Sequence, residues 1–307
     1  MKAIQTTAAQ ADLIRRTFGL GPREPAPTLT AVPGGLTNSS FRFFCRGEDC
    51  LIREPGADSF TYINRFQEAE AYAAVAGRIP TDELLALEPE TGRKITRFWE
   101  GARCADPERP EEVARCMGIL RQLHDGKFQV SCRYSVFDLS RVFIQWKTPP
   151  SRYPDYDLVE RRCMDMEPVL EPYRRYEVLS HCDTVLSNFL FRPDGELRLI
   201  DWEYSGMHDP LVDVAMFAND GNYMPAGTDR LLTIYLGRAP TAEERLRTYG
   251  YLAVIGLAYS NWEERERLAG RDWGAYGRQQ YDHASRYSGL FWELLQEVQK
   301  EAGHGAG

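Results

Sequence analysis

The chain has 307 residues, of which 43% are hydrophobic and 27% charged, and its formal net charge at pH 7 is −8. These values are ordinary for a globular protein of one large or two modest domains. The acidic balance argues against a general nucleic-acid or anionic-membrane surface. The seven cysteines include no C-x-x-C pair, which disfavours a disulfide framework or a zinc site.

The N-terminal stretch MKAIQTTAAQADLIRR contains no apolar signal-peptide core. No uncharged apolar run in the chain reaches the length of a bilayer-spanning helix. We therefore expect a cytoplasmic protein that has no membrane or nucleic-acid partner. The sequence does not distinguish a monomer from a homodimer.

The first part of the chain is predicted to be rich in strands. The spacing of apolar residues predicts one helix and then three strands, at 8–18, 28–32, 39–45 and 50–54. Gly34 and Gly35 lie in the turn between the first two strands. A Gly-Gly turn allows backbone N–H groups to approach phosphate oxygens closely, although an ordinary hairpin tip has the same sequence.

A helix over 60–77, ending at Gly77, and a hairpin over 84–88 and 94–101 are predicted next. The polar, proline-containing stretch ARCADPERP follows the hairpin. We interpret the preceding Arg97, Phe98 and Trp99 as a hinge whose backbone would hydrogen-bond an adenine edge; a plain interdomain linker is the alternative. The predicted domains are therefore residues 1–100 and 101–307.

The stretch from His181 to Asn188 reads H-x-D-x-x-x-x-N, with Asp183 as its acidic member. The following FLFRPDGELRLI predicts two short strands joined by a turn at Pro193-Asp194-Gly195. Asp201 comes at the end of the second strand. A loop and a hairpin would therefore bring Asp183, Asn188 and Asp201 to one end of a small ribbon.

These residue types suit phosphoryl transfer. A hydroxyl that attacks a γ-phosphate needs a carboxylate to orient it and accept its proton, and the triphosphate needs Mg²⁺ held by oxygen ligands. Asp183 suits the base, whereas Asn188 and Asp201 suit the metal. Kinases have the same order of His, Asp and Asn followed by a metal-binding Asp, and a surface loop with turn-forming Asp and Asn is the alternative.

The remainder of the chain is predicted to be mainly helical, with helices at 111–126, 135–147, 155–170, 229–237, 241–268 and 274–298. Residues 249–292 are unusually aromatic, which more often marks a core than a ligand site. Tyr259 and Trp262 lie one helical turn apart, so their rings share a face. Aromatic faces also recognise quaternary ammonium groups, which have no N–H to donate.

The motifs HCDTVLSNFL and LIDWEYSG resemble the choline/ethanolamine kinase family, in particular bacterial choline kinases of the LicA type within the aminoglycoside-phosphotransferase-like kinases. The D-x-E-Y form that begins at Asp201 is more typical of that branch than of aminoglycoside enzymes. Cys182-Asp183-Thr184 departs from the family's usual Asn-Asp-Leu but keeps the Asp. The resemblance implies that Asp213 braces the catalytic loop, and His181 is also expected to support that loop.

On the nucleotide side, the resemblance implies that the motif GGLTN covers the phosphates, with Asn38 lining the nucleotide or substrate side. It implies that Arg53 contacts the α- and β-phosphates. The helical partner of Arg53 is expected to be Glu68, with Glu70 as the alternative. Glu203 is expected to bind a second metal ion or to orient the first.

On the acceptor side, Tyr259-x-x-Trp262 is similar to the W-x-x-W choline box of the family, with Tyr replacing the first Trp. Trp273 and Tyr276 follow where the family places further aromatic residues around the cation. Asp220 matches an acidic residue near the cation. The resemblance thus implies an aromatic cage that also carries negative charge.

The resemblance implies an α+β fold of the two-lobed, protein-kinase-like type, with a small antiparallel-sheet lobe and a larger, mainly helical lobe. The implied reaction is Mg²⁺-dependent transfer from ATP to choline, giving phosphocholine and ADP. The alternatives are a kinase for ethanolamine, an aminoglycoside, thiamine or a sugar, or a non-catalytic kinase-like binding module. The set of Asp183, Asn188 and Asp201 disfavours the binding module.

Overall fold

The computed structural model describes residues 3–33, 38–56, 63–146 and 151–304. The chain forms two compact units. The first comprises Met1–Cys104 and Phe189–Tyr204, and the second comprises Ala105–Asn188 and Ser205–Gly307. The hairpin that follows the H-x-D-x-x-x-x-N segment therefore belongs to the first unit, whereas that segment itself belongs to the second.

A six-stranded antiparallel sheet, ordered β1-β2-β3-β4-β6-β5, forms the centre of the first unit. Its strands are β1 (Ala3–Ile4), β2 (Leu29–Val32), β3 (Asn38–Cys45), β4 (Glu48–Pro55), β5 (Leu84–Glu88) and β6 (Arg93–Arg97). Helix α1 (Ala8–Phe18) packs its apolar side on the sheet. The shared core consists of Leu13, Ile14, Leu29, Phe43, Cys45, Cys50, Ile52 and Ile95.

The register between β4 and β6 determines which side chains share the other face of the sheet. Arg53 lies directly opposite Lys94, and Ile52 lies opposite Ile95. Because successive side chains on a strand point to opposite faces, the two isoleucines enter the core, while Arg53 and Lys94 lie together on the opposite face. The sheet therefore presents two neighbouring cations.

Helix α2 (Arg65–Val75) supplies acidic residues to the first unit. The Asn64 side chain accepts the Phe66 N–H at 3.1 Å and so caps its start, as short polar residues do at helix N-termini. The predicted helix over 60–77 was longer than this. Residues 60–62 lie outside the described part of the chain, and the helix ends before Ala76, whose ψ of 128° is not helical.

The hairpin predicted after Asn188 is present, formed by β9 (Phe189–Phe191) and β10 (Leu197–Leu199). Gly195 has φ +87°, a left-handed conformation that glycine adopts without steric cost. Strand β7 (Arg103–Cys104) pairs with β9 and completes a three-stranded sheet.

The second unit is mainly helical. Its long helices are α3 (Pro110–Asp125), α4 (Val136–Trp146), α5 (Tyr156–Met164), α7 (Leu211–Asp220), α8 (Pro225–Leu236), α9 (Ala242–Leu268) and α10 (Tyr276–His304). Helix α9 is largely buried and packs against α4, α7 and α10. A two-stranded antiparallel ribbon of β8 (Val178–Ser180) and β11 (Gly206–His208) leads into the segment that begins at His181.

Further differences from the sequence prediction concern the helices of the second unit. The helix predicted over 155–170 ends at Met164 and is followed by the short α6 (Glu167–Leu170) and a 3₁₀ turn at Glu171–Tyr176. Pro168 and Pro172 account for the breaks, because a proline cannot donate the helical hydrogen bond. Helix α7 was not predicted, since nearly all of its residues are buried and it lacks a polar face.

Across the described ranges, no helix combines the length and the apolar character that crossing a bilayer requires.

Helices α9 and α10 approach each other closely at Gly256. A Cβ at this position would lie 2.6 Å from the Gln280 carbonyl oxygen and 2.9 Å from the Ala284 amide nitrogen. We expect Gly256→Ala to lower the free energy of unfolding by about 1–3 kcal/mol, because backbone atoms must shift to admit the methyl group. Denaturant unfolding of the purified variant measures this change.

The matched control is Gly289→Ala on α10, where a Cβ would meet no atom within 4 Å. This variant should be neutral or more stable by up to about 1 kcal/mol, because alanine is the better helix former. Equal destabilisation of the two variants would contradict a specific close approach at Gly256.

Candidate active site

Arg53 on β4 lies at the centre of a buried charge cluster in the first unit. Its side chain is only 6% exposed. Nη2 donates to both carboxylate oxygens of Glu68, at 2.7 and 2.8 Å. Nη1 forms an ion pair with Asp201, which has a left-handed φ of +66°. Glu68 is therefore the α2 residue whose carboxylate contacts Arg53, and Asp201 joins the same guanidinium from the end of the hairpin.

Glu203 is also buried in this cluster, with a side chain 3% exposed. Its Oε2 lies 2.5 Å from Arg65 Nη1 and 3.1 Å from Arg53 Nη1. Asn38 Nδ2 donates to both of its oxygens. Burial and the neighbouring Asp201 raise the pKa of Glu203, although Arg53 and Arg65 oppose this shift. The structure thus shows Glu203 in a buried ion-pair network, and a metal role for it stays a prediction.

The cluster has donors that suit an anionic ligand. Arg53 Nε is buried and has no hydrogen-bond partner among the described residues. A buried guanidinium N–H without an acceptor is unfavourable, and phosphate oxygens are strong acceptors for arginine. The Arg53 side chain therefore fits the nucleotide phosphates that the sequence implies. The predicted phosphate-covering residues Gly34 and Gly35 lie outside the described part of the chain.

A cavity of about 150 Å³ lies beside the cluster within the first unit. Arg97, Phe98 and Trp99, the predicted hinge, line it together with Arg53 and Asp201. The backbone N–H groups of Arg97 and Phe98 already donate to carbonyl oxygens at 3.0 and 2.9 Å. These two N–H groups are therefore already engaged, and an adenine edge would have to bind other backbone groups of the hinge. The adenine-binding role of the hinge stays a prediction.

Asp183 and Asn188 lie in the second unit, in the loop that follows β8. Asn188 Nδ2 donates to the Asp183 backbone oxygen at 2.7 Å and to its carboxylate Oδ2 at 2.9 Å. The amide thus fixes the orientation of the carboxylate. Asn188 Oδ1 accepts no hydrogen bond from the residues that the structure describes, and an amide oxygen of this kind is a suitable ligand for Mg²⁺.

The predicted metal ligands are distributed over both units, with Asn188 in the second and Asp201 in the first. Within the described ranges, no group of three or more His, Cys, Asp or Glu residues is arranged to hold a metal ion. The donor types fit Mg²⁺, because both residues offer oxygen atoms. Their role as metal ligands stays a prediction.

The carboxylate of Asp213 on α7 holds the start of this loop. It is fully buried, and it accepts the backbone N–H groups of His181 at 2.8 Å and Cys182 at 2.7 Å. His124 Nε2 lies 2.9 Å from the same carboxylate. Cys182 has a left-handed φ of +62°, which is unfavourable for a residue with a side chain. The hydrogen bonds to Asp213 hold the loop in this conformation.

The ring cluster on the acceptor side consists of Trp262, Trp273 and Tyr276. The Trp262 ring centroid lies 5.4 Å from that of Trp273 and 6.3 Å from that of Tyr276. Burial raises the pKa of Tyr276, and the carboxylates of Asp220 and Asp183 raise it further. These three predicted cage residues are therefore brought together, and Tyr276 is the ring whose pKa both predicted carboxylates affect.

Tyr259, the remaining aromatic residue of the predicted cage, contacts Asp183 and Phe143. Its hydroxyl lies 3.5 Å from Asp183 Oδ1, a long hydrogen bond, and its ring packs edge-on against Phe143. Asp220 uses Oδ2 to accept the Leu186 N–H at 2.7 Å, and burial raises the pKa of its carboxyl group. Tyr259 and Asp220 therefore both contact the loop that carries the predicted base.

The sequence reasoning did not identify Lys94 and Arg65, which are both buried in the charge cluster. Alternation along β6 would have placed Lys94 on the face opposite to Ile95. Lys94 lies beside Arg53 only because β4 pairs with β6 in the observed register, which the sequence does not reveal. Arg65 lies at the start of α2, where its contact with Glu203 depends on tertiary structure.

The buried Asp213 predicts a pH-dependent contribution to stability. Burial alone would raise its pKa, but the hydrogen bond and charge of His124, together with His181, lower it below the usual value. The ionised carboxylate therefore stabilises the fold above about pH 4, and this contribution is lost as the pH falls through the lowered folded-state pKa. We expect Asp213→Asn to cost about 1–3 kcal/mol at pH 7 and progressively less below about pH 4.

Thermal unfolding from acidic to neutral pH measures this difference. Asp125→Asn is the matched control, because the Asp125 side chain is 76% exposed. It should change the stability by less than about 0.5 kcal/mol at any pH. A deficit of Asp213→Asn that does not vary with pH would show that the charge of Asp213 is not the stabilising feature.

Comparisons with known proteins place this chain in a family. Residues 29–251 match the phosphotransferase enzyme family. Protein LicA of Haemophilus influenzae is 26% identical over 282 residues, which cover 86% of this chain and 79% of that protein.

Two solved structures resemble the fold. A choline/ethanolamine kinase family protein from Mesorhizobium loti has a TM-score of 0.71 and 27% identity, covering 94% of this chain and 99% of that one. Choline kinase LicA from Streptococcus pneumoniae has a TM-score of 0.71 and 22% identity, covering 85% and 94%. The predicted resemblance and the α+β kinase-like fold are thereby confirmed. The chain belongs to the phosphotransferase enzyme family.

Proposed function

We propose that this phosphotransferase is a kinase that uses ATP and Mg²⁺ to phosphorylate the hydroxyl of choline. The observation that carries the choice of acceptor is the ring cluster of Trp262, Trp273 and Tyr276 near the Asp183 and Asp220 carboxylates. Aromatic faces attract a quaternary ammonium without hydrogen bonds, and nearby carboxylates supply the opposite charge. A relative described as a choline/ethanolamine kinase family protein supports the same acceptor class.

The chemistry assigned to the second unit is proton transfer. Asp183 is the base that accepts the proton of the acceptor hydroxyl, and Asn188 holds its carboxylate in one orientation through Nδ2. The Tyr259 hydroxyl contacts the other carboxylate oxygen at 3.5 Å. The carboxylate is thus held by a neighbour at each oxygen, which favours one approach for the hydroxyl.

The chemistry assigned to the first unit is nucleotide binding. Arg53 is the cation for the phosphates, and Glu68 fixes its guanidinium through two short hydrogen bonds. Asp201 is the residue of this unit that would hold Mg²⁺, which supplies positive charge against the phosphate oxygens when it is bound. The Trp99 ring lines the cavity, and we assign it to contact with the adenine ring of the nucleotide.

The role of Asp183 is tested by Asp183→Asn. We expect turnover to fall by about 10²–10⁴-fold, because the amide cannot accept the proton of the hydroxyl. The affinity for ATP should remain close to the wild-type value, because the carboxylate acts on the acceptor. Steady-state kinetics and nucleotide titration of the same preparation measure both quantities. Asp194→Asn in the exposed hairpin turn is the control, and wild-type turnover in Asp183→Asn would refute the assignment.

The choice of choline is tested by Trp273→Leu and Trp262→Leu. A desolvated cation–π contact contributes up to about 2 kcal/mol, so the KM for choline should rise by up to about thirtyfold. The KM for ethanolamine should rise less, because its ammonium group can donate hydrogen bonds to a carboxylate. The KM for ATP should be nearly unchanged.

Trp292→Leu is the matched control, because Trp292 lies on α10 and its indole N–H donates to the Arg162 carbonyl oxygen. Its choline KM should equal that of the wild type. Melting temperatures are measured for all three variants. A large drop in melting temperature together with equal loss of choline and ATP use would show that Trp262 and Trp273 serve only as core residues.

A further inference from the structure

Lys94 is a second cation at the nucleotide cluster of the first unit. It lies opposite Arg53 in the β4–β6 register and its side chain is 5% exposed. Like charges that face each other across a strand pair are unfavourable unless other groups neutralise them. Burial of two adjacent cations therefore requires several carboxylates close to both.

Those carboxylates are present. Lys94 Nζ lies 3.1 Å from Glu68 Oε1 and 3.5 Å from Asp201 Oδ1, so it meets the same two carboxylates as Arg53. A third carboxylate, that of Asp82, lies 3.5 Å from Lys94 Nζ. The two cations thus share Glu68 and Asp201, and Lys94 has a further anion of its own.

Tyr72 on α2 fixes the position of the ammonium group. Lys94 Nζ donates to the Tyr72 hydroxyl at 2.7 Å, and that hydroxyl donates to Asp82 at 2.7 and 2.9 Å. The three groups form a buried chain of hydrogen bonds. Such a chain holds the ammonium group in one place, because each polar member is satisfied only in this arrangement.

Lys94 and Arg53 both favour the ionised form of Glu68. Burial raises the pKa of Glu68, but Lys94 and then Arg53 lower it to a net value below the usual one. Burial and the charge of Arg53 lower the pKa of Lys94. The carboxylates of Asp82, Glu68 and Asp201 raise it by more, so the net pKa lies above the usual value. Lys94 therefore carries its charge at neutral pH and keeps Glu68 ionised.

We propose that Lys94 is a positioning residue for nucleotide binding, which holds Glu68 and Asp201 so that Arg53 can turn to a phosphate. A phosphate that accepts from Arg53 Nη1 competes with the Asp201 carboxylate for that nitrogen. Lys94 also contacts Asp201, so it neutralises this carboxylate when Arg53 turns to the phosphate, and its anchor on Tyr72 and Asp82 keeps it from following. This inference rests on nucleotide binding, and it does not depend on choline as the acceptor.

The experiment compares Lys94→Met, Lys94→Arg and the double variant Lys94→Met/Asp82→Asn. The affinity for ADP is measured by calorimetry without any acceptor, alongside the melting temperature and the KM for ATP. The double variant removes one buried positive and one buried negative charge, so its stability should recover relative to Lys94→Met. Arg93→Met is the matched control, because Arg93 is the adjacent cation on β6 and pairs with Glu54.

We expect Lys94→Met and the double variant to bind ADP at least about tenfold more weakly than the wild type, which corresponds to about 1.4 kcal/mol. Lys94→Arg should remain within about threefold, because an arginine keeps the charge. Arg93→Met should bind like the wild type.

Recovery of both stability and ADP affinity in the double variant would overturn the proposal, because Lys94 would then only neutralise Asp82. Equal weakening by Arg93→Met would also overturn it, since any change in β6 would then suffice. Failure of the choline prediction would leave these measurements unaffected, because ADP binding requires no acceptor.

Discussion

A carboxylate that is removed from water must find hydrogen-bond donors or positive charge, and this constraint shapes both units of the protein. In the second unit, Asp213 meets the requirement with two backbone N–H groups and His124. In the first unit, Glu68 and Glu203 meet it with arginine and lysine side chains. In either arrangement, removal of one member leaves a buried charge or a buried hydrogen-bonding group without its partner.

The same constraint explains where the chain adopts strained backbone. Cys182 and Asp201 are two of the non-glycine residues with a left-handed φ in the described chain. Each adjoins a carboxylate network, and the hydrogen bonds and ion pairs of that network compensate for the local strain. Asp183 follows Cys182 directly, and its carboxylate accepts the hydrogen bond from Asn188 that orients it.

Local turn chemistry predicted the hairpin with Gly195 at its turn, and the structure contains it. The contact between Arg53 and Glu68 is tertiary; the family resemblance implied it, and the structure shows it. Other features that depend on tertiary structure could not be predicted. Helix α7 has no polar face, so its sequence lacks the polar–apolar periodicity that predicts a helix, and Lys94 gains its partners only through the register of β4 and β6. The breaks after Met164 follow from prolines that are visible in the sequence.

The buried position of Cys182 has a consequence for redox chemistry. Burial and the Asp213 carboxylate raise the pKa of its thiol well above the usual value, so the sulfur remains protonated. Oxidants and alkylating reagents attack thiolates, and a buried thiol of this kind is inert toward them. The residue next to the predicted base is therefore protected from oxidation mainly by burial, and the carboxylate that holds the loop adds to this protection. Cys104, which is exposed, is the thiol at which such reagents would react first.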